Sequence, residues 1–83
     1  SVVKREDGSW LLDGMLPVDE FVHVLDLREL PSDSQNYATL GGFVMSRLER
    51  IPSPGEHFDW SEFRFEVVDM DGRRIDKLLA SFD

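Results

Sequence analysis

The chain of 83 residues contains no cysteine and few positive charges, and both deficits exclude classes of function. Without cysteine there is no disulfide, no thiolate nucleophile and no cysteine-ligated zinc site. Nine lysines and arginines are outnumbered by 17 aspartates and glutamates, so the formal net charge at pH 7 is -8. This charge opposes binding to nucleic-acid phosphates and to anionic lipid, and it favours a weak, unspecific attraction of divalent cations.

The sequence also lacks the common targeting and catalytic motifs. No apolar run approaches the roughly 20 residues that span a bilayer, and no signal peptide is visible. There is no Gly-x-Ser-x-Gly motif, no P-loop lysine and no Gly-x-Gly-x-x-Gly motif, and neither histidine has an obvious catalytic acid partner. We therefore expect no enzyme activity. The chain begins at Ser1 without an initiator methionine, so we interpret it as one domain of a longer protein, with processing of a natural N-terminus as the alternative.

Hydrophobic periodicity predicts the element order strand–strand–helix–helix–strand–strand–strand. The predicted strands cover residues 2–6, 9–15, 56–60, 63–68 and 73–80, and the helices begin near Pro17 and at Thr39. Asp7-Gly8 and Asp71-Gly72 are typical of hairpin turns, and Pro54-Gly55 is typical of a type II turn. Residues 81–83 are expected to fray. This order predicts an α+β fold, in which two helices pack on one face of a small antiparallel sheet.

The second helix, predicted from Thr39 to about Arg50, carries a candidate interaction surface. Thr39 is a good N-cap residue, and the apolar positions that share one face are Leu40, Phe43, Val44 and Leu48. Gly41 and Gly42 lie in the first turn, where each costs about 1 kcal/mol relative to alanine. Such a pair indicates either close packing against another backbone or a surface left bare for a partner. We take Gly41, Gly42 and Phe43 as the candidate contact surface.

One segment has part of the pattern of a metal site. Residues 69–72, Asp-Met-Asp-Gly, resemble the start of a calcium loop, which makes Asp69 and Asp71 weak candidate ligands. The pattern then breaks, because Arg73 and Arg74 follow where oxygen ligands should continue and no glutamate closes the loop. A plain hairpin turn is the simpler interpretation.

Residues 11–79 resemble the CorC/HlyC transporter-associated domain. The resemblance rests on four groups of residues in the same order and at similar spacing. They are Asp13-Gly14 with Leu16-Pro17-Val18-Asp19-Glu20-Phe21, then Thr39-Leu40-Gly41-Gly42-Phe43-Val44, then Arg50-Ile51-Pro52 with Pro54-Gly55-Glu56, and finally Phe65-Glu66-Val67 with Met70-Asp71-Gly72-Arg73-Arg74-Ile75. None of the four groups is diagnostic alone, and their combination carries the resemblance.

The resemblance implies a setting that composition does not. Such a domain would lie at the cytoplasmic face of the bacterial inner membrane, after a membrane region and a pair of CBS domains, in a magnesium and cobalt efflux or hemolysin-like protein. We expect a non-catalytic regulatory or assembly module that packs against those regions or a second copy. The alternatives are a divalent-cation sensor and a flavin or adenine-nucleotide binder. The fold class is named after FAD binding, but no dinucleotide motif supports a flavin site here, and we expect no resident cofactor.

Overall fold

The computed structural model of the protein describes residues 2–82, which form a five-stranded antiparallel sheet covered on one face by two helices. In chain order the elements are β1 (Val2–Lys4), β2 (Trp10–Asp13), α1 (Val18–Val24), α2 (Leu40–Leu48), β3 (His57–Trp60), β4 (Phe63–Asp71) and β5 (Arg74–Phe82), with a short 3-10 turn at Ser34–Asn36 between the helices. The strands lie in the order β1-β2-β5-β4-β3. The predicted α+β class and the predicted order of elements along the chain are confirmed.

The core is an aromatic cluster around Phe43, between α2 and the inner face of the sheet. The Phe43 side chain is completely buried. Five other rings have centroids within 5.0–5.8 Å of its own, and they belong to Phe21, Tyr37, Phe58, Trp60 and Phe65. From Phe63 to Val67 in β4 the buried residues alternate with partly exposed ones, as expected for a strand with one covered face. Phe43 therefore anchors the helix layer to the sheet.

A backbone junction at Gly14 joins this layer to the sheet. The Gly14 N–H donates to the Asp76 carbonyl at 2.9 Å, and the Gly14 carbonyl accepts from the Gly41 N–H at 2.8 Å. A Cβ added at Gly14 would lie 1.9 Å from the Ile75 carbonyl oxygen, and one added at Gly41 would lie 3.0 Å from the Gly14 oxygen. Of the two interpretations of the glycine pair, close packing therefore accounts for Gly41.

Several predicted boundaries are wrong, each for a local reason. Lys4 pairs with Trp10, so five residues connect β1 and β2 and Asp7-Gly8 does not form a two-residue turn. The second helix ends at Leu48, because Glu49 adopts a left-handed conformation with φ 59° before Ile51-Pro52 is reached.

The last strand is longer than predicted. Ser81 and Phe82 belong to β5 and pair with β4, with Phe82 opposite Phe63, so the prediction that these two positions fray is wrong; Asp83 lies outside the described residues.

Two turn predictions are confirmed. The hairpin predicted at Asp71-Gly72 is present, although its two central residues are Gly72 and Arg73, because Asp71 pairs with Arg74. At the Pro54-Gly55 turn, Gly55 has φ 98° and the Glu56 N–H donates to the Ser53 carbonyl at 3.2 Å.

Candidate functional site

The predicted contact surface at the start of α2 is only partly at the surface. Phe43 is wrong as a contact residue, because its ring is fully enclosed by the core. Gly41 is also buried, since the Gly14 backbone covers it. Gly42 is partly exposed, and a Cβ there would lie 2.9 Å from the Tyr37 Cβ. The Thr39 side chain accepts a hydrogen bond from the Gly42 N–H at 3.2 Å, which confirms the predicted N-cap.

A shallow depression of about 220 Å³ lies beside this helix start, and Met15, Met45 and Arg74 contribute to its lining. We call it the methionine depression. Met15 is 60% exposed, and its sulfur accepts a hydrogen bond from an Arg74 guanidinium nitrogen at 2.8 Å. Methionine side chains adapt their shape to apolar partners, so this depression is the exposed surface that remains next to the glycine pair.

The structure places Asp69 and Asp71 on β4, both exposed, opposite cationic residues of β5. Asp69 pairs with Lys77 and Asp71 with Arg74, and the register shifts on either side of Asp69. Within residues 2–82 there is no group of three or more histidine, aspartate or glutamate side chains suited to hold one metal ion. A cation at these two carboxylates would therefore need water for most of its ligands.

The strongest candidate site is a cleft of about 740 Å³ that the sequence did not reveal. One wall is the connection between the helices, residues 25–32. The other wall is the β3–β4 hairpin, whose turn is Ser61-Glu62, together with the end of β5 at Phe82. We call it the acidic cleft. Its walls are separated in sequence by about half of the chain, so no local pattern could have indicated it.

Aromatic rings form one side of the acidic cleft. Phe63 and Phe82 stack with centroids 4.7 Å apart at an interplanar angle of 26°. Phe63 is buried, whereas Phe82 is 74% exposed. Trp60 is partly exposed beside them. An exposed phenylalanine on a ring stack is an apolar surface without a protein cover among residues 2–82.

Carboxylates occupy both walls of the acidic cleft. Asp26 and Glu29 belong to the helix connection and Glu62 to the hairpin turn, and all three are exposed. Among residues 2–82 none of them forms an ion pair or a side-chain hydrogen bond, and Arg28 is the cation in the lining. The hairpin turn is left-handed at both central residues, with φ 50° at Ser61 and 70° at Glu62, which costs non-glycine residues roughly 1 kcal/mol or more each.

Asp33 fastens the helix connection to α2 and thereby shapes one wall of the cleft. Its carboxylate accepts hydrogen bonds from the Tyr37 hydroxyl at 2.7 Å, the Ser46 hydroxyl at 3.3 Å and the Arg47 guanidinium at 3.3 Å. The Tyr37 hydrogen bond is the main cause that lowers the pKa of Asp33. Burial, and then the bond to Asp33, raise the pKa of Tyr37 to about 12. The wall is therefore held by a network that is formed at neutral pH.

Comparison with known proteins gives one consistent family. The CorC_HlyC family model, described as a transporter associated domain, matches residues 3–83. A UPF0053 protein of Synechocystis is 51% identical over 81 residues, and polyamine export proteins of Salmonella typhimurium and Escherichia coli are 46% and 45% identical over 80 residues. Each match covers 96% of this chain but only 18% of the relative.

Solved structures agree with this result. The CorC_HlyC domain of a Xylella fastidiosa hemolysin, in complex with Mg²⁺ and Mn²⁺, is 49% identical with a TM-score of 0.87, and the match covers 99% of this chain and 96% of that one. A CorC_HlyC domain from Haemophilus ducreyi is 36% identical with a TM-score of 0.84, covering 98% and 95%. Both chains are close to this one in length, so homologous domains fold as separate chains. Within residues 2–82, neither helix has the length and apolar character needed to cross a bilayer.

Proposed function

Since the chain belongs to the CorC_HlyC family of transporter-associated domains, we propose that it is a non-catalytic regulatory and assembly module of a bacterial membrane protein that exports cations. The observation that carries the proposal is the coverage of the relatives. Nearly the whole chain matches, yet it accounts for 18% of a polyamine export protein. A module of this size acts through the rest of the protein.

The proposed mechanism is linkage between docking and transport. The module packs against its neighbours, for which CBS domains and a second copy are the candidates, at the cytoplasmic face of the membrane. It shifts the exporter between two states only by binding one of them better than the other. Docking through the methionine depression fits this mechanism, because the depression presents the exposed Met15 side chain beside the Gly14 backbone, which is hydrogen-bonded to both α2 and β5.

Two cargo classes have support. Divalent metal ions agree with the complex of the Xylella fastidiosa domain with Mg²⁺ and Mn²⁺, and this remains the first candidate. Organic polycations agree with the names of the Salmonella and Escherichia coli relatives, so polyamine export is the second candidate. The net charge of -8 suits a cytoplasmic surface that meets either class of cation.

Substitution in the full-length protein tests the proposal. Met15→Glu replaces the apolar side chain of the methionine depression by a carboxylate that would pair with Arg74, and it leaves the core undisturbed because Met15 is 60% exposed. Ile51→Glu is the matched control, since Ile51 is 41% exposed beyond the far end of α2. We expect the Met15 variant to change cation export by about fivefold or more, which is the lower range of coupling between sites, while the control behaves like the wild type.

The readout is retention of loaded Co²⁺ or putrescine by cells that produce each full-length form. Isolated domains carrying either substitution should keep their melting temperatures, because surface changes usually alter the free energy of unfolding by less than about 0.5 kcal/mol. A change for only one cargo identifies the cargo class. Equal retention by the wild type, the Met15 variant and the control for both cargoes would contradict the proposal.

A further inference from the structure

The methionine depression carries one charge, and that charge is positive. Of the described residues in its lining, Arg74 is the only charged one. Its guanidinium donates to the Met15 sulfur at 2.8 Å, and a thioether sulfur is a weak acceptor. Within residues 2–82 Arg74 forms no ion pair, although Asp71 lies opposite it on β4. A guanidinium with five N–H donors therefore lies beside the methionine side chain with one weak acceptor.

Arg74 differs in this respect from the cations that already hold a carboxylate, which are Lys77, Arg47 and Arg50. A carboxylate from a partner could bind Arg74 in the bidentate geometry that guanidinium groups favour, without breaking an ion pair. It would replace the Met15 sulfur as the acceptor. The start of α2 belongs to the same lining, and the positive end of its dipole also favours a negative group.

We infer that the methionine depression binds a segment of the full-length protein, from outside this domain, that carries a carboxylate next to an apolar side chain. The carboxylate binds Arg74, and the apolar side chain packs against Met15 and Met45. The inference rests on the proposed function, which places docking at this depression, and it adds the chemistry of the partner surface. A related exporter has ample further sequence to supply the segment, because this domain covers 18% of it.

The lining opposes other kinds of partner. A purely apolar segment would remove water from the Arg74 guanidinium and leave it with the thioether alone, and an unpaired charge is costly to bury. A basic segment would meet a like charge. An acidic segment without apolar contact would depend on an exposed ion pair, which contributes little, against a domain net charge of -8. The carboxylate and the apolar side chain are therefore both needed.

Carbodiimide coupling in the full-length protein tests the inference. The reagent joins a lysine amine to a carboxylate in direct contact with it and adds no spacer. Arg74→Lys keeps the positive charge and supplies the amine. Mass spectrometry of the digested protein, coupled in its membrane, then identifies the carboxylate. We expect the lysine introduced at position 74 to be joined to an aspartate or glutamate outside this domain, with an apolar residue beside it.

Three further substitutions sharpen the test. Arg28→Lys is the matched control, because Arg28 is also exposed but lies in the acidic cleft, and it should not couple to the same segment. Adding Met15→Glu to Arg74→Lys should lower coupling to the segment about tenfold or more, since like charges facing each other across an interface are strongly unfavourable. Adding Met15→Leu instead should preserve the coupling, because it keeps the apolar surface and removes only the sulfur.

The outcomes separate the partner chemistry from the proposed function. Absent coupling, coupling only to carboxylates of this domain or of a second copy of it, or equal coupling by Arg28→Lys would overturn the inference. Coupling outside the domain that Met15→Glu suppresses supports it, even if Met15→Glu leaves cation export unchanged, in which case the proposed function alone fails. If Met15→Glu changes export and no coupling outside the domain occurs, the proposed function stands and the acidic partner segment is overturned.

Discussion

The Gly14 junction gives the sharpest test of the packing. In Gly14→Ala the new Cβ would lie 1.9 Å from the Ile75 carbonyl oxygen, so the backbones of β5 and residue 14 must separate by about 1 Å to reach the shortest contact that real Cβ atoms make. Overpacking of this kind costs about 1–3 kcal/mol. The same movement strains two backbone hydrogen bonds, to Asp76 and from Gly41, worth about 1 kcal/mol each.

The expected loss is therefore about 3–5 kcal/mol. A domain of 83 residues has about 4–12 kcal/mol in total, from roughly 0.05–0.15 kcal/mol per residue. At about 4–8 °C per kcal/mol, even the lower value lowers the melting temperature by about 12–24 °C. Urea denaturation followed by circular dichroism measures the free energy of unfolding. If the wild-type free energy lies near the lower end of this range, the variant will be partly unfolded at 25 °C without urea.

Alanine substitutions at two other glycines are the controls with which the loss of stability in Gly14→Ala is compared. Gly41→Ala brings its Cβ to 3.0 Å from the Gly14 oxygen but gains about 1 kcal/mol of helix propensity, so its net cost should stay below about 1.5 kcal/mol. Gly55→Ala has open space but a φ of 98°, which costs about 1 kcal/mol. If Gly14→Ala were no more destabilising than either control, the close approach at this junction would not be what holds the helix layer on the sheet.

Two further predictions concern the ends of the helix layer. Thr39→Ala should lower the free energy of unfolding by about 1 kcal/mol in urea, because the Gly42 N–H loses its acceptor, and Thr39→Ser should restore it. Tyr37→Phe should raise the pKa of Asp33 towards 3.8, seen by carboxyl NMR titration. The lowered pKa of Asp33 stabilises the wild-type fold above pH 3.8, and this stabilisation is lost as the pH falls through the folded-state pKa. The variant should therefore be less stable than the wild type at neutral pH, and its free energy of unfolding should change less on acidification. If the pKa of Asp33 does not move, the Tyr37 hydroxyl does not have this role.

Local signals in the sequence predicted local structure well. The Thr39 cap, the Pro54-Gly55 turn and the alternating residues of β4 each depend on neighbours within a few positions, and each is present. The helical spacing of Phe43 with Leu40 and Val44 already indicated a buried face, so its place in the contact surface contradicted the pattern itself. A contact surface and an apolar core face have the same composition, and only the tertiary fold separates them.

Features that join distant segments could not be predicted. Gly14 is a close-packed residue because Gly41 and Ile75 meet it, and they lie 27 and 61 positions away. The acidic cleft depends on the approach of residues 25–32 to Phe82, which lies just beyond the predicted end of the last strand and was expected to fray. Asp26 and Glu62 look like ordinary solvated acids in the sequence, because charge alone does not show what a side chain faces.

The pairing of β2 with β5 has a consequence for folding. Trp10 lies opposite Ala80, 70 positions later, so the second strand of the chain finds its inner neighbour only after the last strand is available. Such non-local contacts slow folding, because the intervening chain must lose conformational entropy before the contacts can stabilise the structure. During synthesis, Leu12 and the open edge of β2 stay uncovered until β5 leaves the ribosome. Chains interrupted before β5 should therefore aggregate or be degraded rather than persist as partly active modules.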